Sequence, residues 1–178
     1  MADLLTHVAL AHCVKRLSWS PEHALLFALG TALPDLVGRA PGLGIALLEQ
    51  ALGQDMPYVI TLGFDAVHMP FPYTVFCLFV VWCLPERGRR VIFYNLLLGG
   101  YLHFGVDVFQ KHLQGGYHLL FPFTWWDWEL GLVGSEDSLY VAGPLALLAL
   151  GVELFYRRRR RPPHPVEGQT EGAPEPLE

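Results

Sequence analysis

Three long apolar stretches constrain this chain more than any other feature. Residues 66–84 (AVHMPFPYTVFCLFVVWCL) hold no formal charge and one His. Residues 91–110 (VIFYNLLLGGYLHFGVDVFQ) hold one His and one Asp, and residues 139–156 (LYVAGPLALLALGVELFY) hold one Glu. They are 19, 20 and 18 residues long, and about 20 residues of helix cross the hydrocarbon core of a bilayer. The sequence therefore predicts an all-α, polytopic membrane helical bundle. Pro70 and Pro72 fall near the start of the first stretch, where a helix best tolerates proline. Only 16% of residues are charged, against about 25% in a typical soluble domain. A net charge of −5 leaves no basic footprint, so no nucleic-acid partner is expected. Cys13, Cys77 and Cys83 form no CxxC pair and are too few for a disulfide scaffold, so they read as buried free thiols.

Charge asymmetry sets an expected orientation. Of 12 Lys and Arg, five form the run Arg157 to Arg161, three cluster at Arg87, Arg89 and Arg90, and two stand at Lys15 and Arg16. Basic residues flanking spans stay cytoplasmic. Both large clusters are inside only if the loop 111–138, with Trp125, Trp126 and Trp128, faces outward. The chain then divides into a membrane-embedded part, 1–156, and a basic anchor with a cytoplasmic tail, 157–178. The tail is rich in Pro, Gly and Glu and is expected to be disordered. Within the third span, Glu153 is expected to pair with Arg157.

The first 65 residues are less regular. Residues 3–17 read as an amphipathic helix, and no cleavable signal is evident. Ser20-Pro21 has the form of a helix start, but the following run, ALLFALGTALP, is only 11 residues long. It is either a fourth, short span or a half-buried helix, giving three or four spans in all. APGLG and GQDMP read as breakers around a short helix, IALLEQAL.

Ionisable groups inside spans are costly, about 2.5–3.5 kcal/mol at a helix centre on insertion scales. His103 and Asp107 share one helical face by their i, i+4 spacing and together suit a cation such as Zn²⁺; a hydrogen-bonded pair inside the bundle is the plain alternative. His68 stands at the outer end of the first span, Asp35 follows GTALP, and His7 lies on the first helix. Each alone reads as a surface His, a turn Asp or a core His. Three His and two Asp in so charge-poor a chain point to a metal site. If residues 22–38 cross the membrane, His7 starts on the far side from the other four.

The segments MADLLTHVALA, ALGTALPDL, VHMPFPYTVF, GGYLHFGVDVF and GGYHLLFPF resemble, in order and spacing, the membrane-bound metal-dependent hydrolases, small bacterial inner-membrane proteins. The resemblance covers roughly residues 1–155, and the family in turn looks like a reduced relative of zinc phospholipase C. It implies a zinc-type hydrolase of the inner membrane, multi-pass with a cytoplasmic C-terminus, acting on a lipid or phosphoester. By position it implies His7, Asp35, His68, His103 and Asp107 as ligands, with Asp35 or Asp107 taking a proton from water. Two departures stand out. His68-Met69-Pro70 replaces the family's H-S-L, and no H-x-x-x-E pair follows Asp107, leaving His112 and His118 as spare candidates. Asp65, three residues before His68, is expected either to orient that imidazole or to be a solvated cap. Tyr101, Tyr117 and Asn95 carry no sequence signal. A non-enzymatic scaffold or regulator with a structural metal is the rival reading, and a small transporter with a His–Asp relay the third.

Overall fold

The computed structural model describes residues 4–18, 23–111, 117–134 and 137–159. The Ser20-Pro21 start, His112 and the tail from residue 160 lie outside these. The described residues are helical, with no strand beyond two isolated bridges, Gln110 to Val133 and Tyr117 to Trp128. In chain order the helices are α1 (Leu4–Leu17), α2 (Ala24–Leu33), a π-helical turn (Pro34–Arg39), α3 (Ala40–Leu52), α4 (Tyr58–Val67), α5 (Pro70–Trp82), α6 (Arg89–Val108) and α7 (Ser138–Arg159).

The second and third apolar stretches become α6 and α7, both long and apolar enough to cross a membrane. The first does not become one helix. Pro70 forces the residue before it out of the helical region, and Met69 is accordingly extended (φ −126°, ψ 145°). The chain breaks at His68-Met69, and α4 and α5 meet at 82°. Helix α5 alone has 13 residues, about 20 Å at 1.5 Å per residue, short of a core roughly 30 Å thick. The described helices thus supply two spans, or three if the bent pair α4–α5 acts as one. Helix α2, with ten residues, is too short to span alone. APGLG does not break the chain: Pro41 sits in the first turn of α3, where its missing N–H costs nothing. GQDMP does, with Gly53 left-handed at φ 64°.

Helix α6 is the hub, with α2, α5 and α1 packed on it. Small residues allow the close approach. A Cβ at Gly99 would strike the Phe27 carbonyl and come within 2.8 Å of the Thr31 nitrogen, while one at Gly30 would come within 2.7 Å of Leu96 Cα. Gly100 leaves room for the Tyr73 ring. The Tyr73 hydroxyl lies 2.9 Å from both the Gly30 and the Leu96 carbonyl oxygens, tying α5 to α2 and α6. Tyr73, Cys77, Leu96, Phe104 and Tyr117 form the buried core. Cys13 and Cys77 are buried free thiols as expected, but Cys83, at the end of α5, is exposed.

The outer faces are apolar. Leu147, Leu148, Leu150, Leu154 and Phe155 on α7 are exposed, as are Val75, Leu78 and Phe79 on α5, a surface suited to lipid rather than water. At one end, Glu153 of α7 meets Arg157 at 2.8 Å, Arg16 at 2.7 Å and His12 at 3.3 Å. The expected Glu153–Arg157 pair is therefore one part of a knot that also fixes the end of α1 to the end of α7. Arg89 turns back to donate to the Leu84 and Trp82 carbonyls at 2.8 and 3.1 Å, satisfying acceptors that the end of α5 leaves open.

Candidate metal centre

Each side chain of the centre comes from a place where the backbone is special or a helix face is buried. His7 lies on the inner face of α1, among Thr6, Ala9, Ala11 and Cys13. Asp35 sits in the π-helical turn, an insertion often found where side chains must be re-aimed. Gly38 lets that turn press against the α4–α5 break: a Cβ there would meet His68 Cβ at 3.1 Å. His68 occupies the break itself. His103 and Asp107 stand one turn apart on the buried face of α6.

These five residues, spread over 101 positions of sequence from His7 to Asp107, converge. Asp107 is the pivot. Its Oδ1 lies 3.2 Å from His7 Nε2, and its Oδ2 lies 3.4 Å from His68 Nε2 and 3.3 Å from His103 Nε2. Asp35 Oδ1 is 3.2 Å from His68 Nε2 and 3.9 Å from His103 Nε2. His68 and His103 approach through the same atoms, Nε2 to Nε2 at 2.9 Å, and the His7 and His103 rings stack at 3.9 Å. His7 and His103 are 0% exposed, and Asp107 3%; the Asp35 side chain is 16% exposed.

The donor set fits a divalent cation. Three imidazole nitrogens and two carboxylates aim at one buried volume, and carboxylate oxygens can only accept. His7 Nδ1 and His103 Nδ1 have no hydrogen-bond partner, which is costly for buried polar groups. Two overlapping sets, His7–His103–Asp107 and Asp35–His68–His103, each bring their ligand atoms within 4.8 Å of one another. The buried group can therefore hold a metal ion.

The remaining expectations fare differently. Asp65 is exposed, and its contribution at His68 is a backbone carbonyl that accepts the His68 N–H at 3.0 Å; its carboxylate makes no described bond to the imidazole. His118 packs edge-on against Trp125, outside both ligand sets. His7 joins the cluster because α1 inserts beside α6 and α7.

Two residues that sequence reasoning passed over stand at the centre. The Tyr117 hydroxyl is 2.9 Å from His68 Nδ1 and also contacts the His68 carbonyl oxygen. The Arg39 guanidinium, one helical turn after Asp35, places Nε 3.6 Å from Asp35 Oδ1 and is 26% exposed. Arg39 had a readable signal, an isolated Arg four residues beyond a candidate ligand. Tyr117 had none.

Neither protein-family models nor curated proteins nor solved structures match this chain. What it can do rests on the geometry above.

Proposed function

We propose that this chain is a membrane-bound, metal-dependent hydrolase, with zinc as its cation and a lipid or other phosphoester as its substrate. The observation that supports this most is the meeting of His7, His68, His103, Asp35 and Asp107 in a membrane-type bundle. The resemblance to membrane-bound metal-dependent hydrolases of the bacterial inner membrane supports it further. Borderline Zn²⁺ suits imidazole and carboxylate ligands. A bound Zn²⁺ supplies Lewis acidity toward water and toward an ester oxygen.

The chain's own residues divide the work. Asp107 has both oxygens engaged by imidazoles and is buried, so it holds the cation and orients the histidines. Asp35 is the more exposed carboxylate and acts as the base that accepts the proton of the attacking water. Arg39 beside it is a fixed positive charge at the rim, suited to an anionic phosphoryl oxygen. His103 Nε2 has one lone pair and belongs to both ligand sets, so it serves one ion. A second ion would keep only two of the remaining ligands in either set, and one tight site per chain follows.

The enclosure of His7 and His103 favours a second reading, a scaffold or regulator with a structural metal, because a catalytic zinc keeps an open position. Hydrolysis separates the two. The purified chain in lipid should cleave a phosphodiester lipid, lose that activity on chelation and regain it with Zn²⁺. Metal-loaded protein that cleaves nothing across a panel of lipid phosphoesters would favour the scaffold.

A further inference from the structure

Tyr117 has a contact pattern that decides where the proton of His68 resides, and this bears on the metal reading above. The hydroxyl touches two atoms of one residue, His68 Nδ1 at 2.9 Å and the His68 carbonyl oxygen. It has a single proton to donate. Were that proton given to Nδ1, two oxygen atoms in close contact would have none between them. Given to the carbonyl, it leaves the phenolic oxygen to accept from Nδ1–H, and each contact holds one proton. Neutral His68 is then protonated on Nδ1, and its Nε2 lone pair points at Asp35 Oδ1, Asp107 Oδ2 and His103 Nε2.

The carbonyl is available because the helix stops there. His68 caps the end of α4, directly before the extended Met69, so its oxygen belongs to the group that helix ends leave unpaired. Tyr117 itself is held from outside. Its N–H donates to Trp128 O at 2.9 Å and its carbonyl accepts from Trp128 N–H at 3.1 Å. The same loop is fixed to the end of α6, where Leu130 N–H donates to Val108 O at 2.8 Å and Leu132 N–H to Phe109 O at 2.9 Å. Tyr117 is 5% exposed and packs against Phe104. The segment 117–134 therefore carries a phenol, anchored by backbone bonds, onto the outer nitrogen of a candidate ligand.

We infer that Tyr117 is a positioning residue for the metal centre: its hydroxyl fixes the Nδ1–H tautomer of His68 and so presents Nε2 as the ligand atom. Partners of this kind fix the ring and raise its basicity, and losing one typically costs about 10–100-fold in metal affinity. A merely structural tyrosine would stabilise the loop without changing the ligand.

Two measurements on the full chain in detergent test this. The first is Zn²⁺ affinity by chelator competition for wild type and Tyr117→Phe. Phenylalanine keeps the ring packing and removes the oxygen. A loss of at least about 10-fold is expected, and equal affinity in a folded variant overturns the inference. The second needs no variant: nitrogen NMR of the metal-free wild type reports the His68 tautomer. A proton on Nδ1 is expected, with or without a second one on Nε2 beside the two carboxylates, and a bare Nδ1 overturns the assignment even if Tyr117→Phe fails to fold. A wild-type chain that binds no Zn²⁺ in the first experiment removes the metal reading itself, a result distinct from wild type and variant binding alike.

Discussion

At Asp107 one carboxylate meets three imidazoles, while Asp35 meets two and an arginine. Their substitutions should therefore differ. Asp107→Asn should lose most of the bound Zn²⁺, since it removes the shared anion. Asp35→Asn should retain a Zn²⁺ ion on the His7–His103–Asp107 set yet hydrolyse at least about 100-fold more slowly, the lower range for losing a general base. Metal content and turnover measured on both variants check this division, and equal metal loss in both would contradict it. Arg39→Gln should raise KM for a phosphodiester by about 10–100-fold, the range of a charge-assisted hydrogen bond worth roughly 1.5–3 kcal/mol. It should leave a neutral ester nearly unaffected, and equal effects on both substrates would remove the anion-binding role. At this scale the sequence was informative where spacing carried meaning. His103 and Asp107 sit four apart on a helix, and the structure brings both to one point. Asp65, open to two readings by spacing alone, is exposed as the solvated one expects and meets His68 through its backbone carbonyl. Tyr117 was illegible: 49 residues separate it from His68, and only a loop folded back over the end of α6 joins them.

Among the elements, packing against α6 depends on glycines whose neighbours leave no room. Gly99→Val should destabilise the bundle by at least about 1–3 kcal/mol, the usual cost of overpacking, because the obstruction is the Phe27 backbone rather than a yielding side chain. Gly105 offers a control on the same helix. A Cβ there meets nothing within 4 Å, so Gly105→Ala should be neutral or stabilise by about 0.5–1 kcal/mol. Unfolding in detergent, followed by helix signal, compares the two, and similar losses would mean that close approach does not govern the contact. Helix lengths were partly legible. The apolar stretches that became α6 and α7 are uninterrupted for long enough to count. The apolar length of the first stretch suggests one span, but Pro70 also forces Met69 into an extended conformation. That local effect splits α4 from α5 and creates the position that His68 fills.

On the scale of the whole molecule, the arrangement of ends makes a prediction about sidedness. Arg16 and Arg157 share Glu153, so the ends of α1 and α7 lie together. Arg89 starts α6 beside the end of α5. Helix α2 runs alongside α6 in the same direction, with Gly30 against Leu96 and Asp35 against His103. Given basic ends inside, reporters after Gly88 and after Arg159 should read cytoplasmic. One in Gly53–Pro57 should read external, with the continuous helical run of α2, the π turn and α3 then making a passage beyond those that helix length alone identifies. A cytoplasmic reading at Gly53–Pro57 would make α4–α5 a re-entrant pair instead of a span. Charge distribution alone suggested the sides of α6 and α7. The level of α1 was not legible, since it follows from a knot between residues 16 and 153.

The most direct test of the account is the metal content of the purified wild-type chain beside His103→Ala, because His103 belongs to both ligand sets. About one Zn²⁺ per wild-type chain and a small fraction of that in the variant is the predicted result. Wild type and variant carrying equal metal, or neither carrying any, would contradict it.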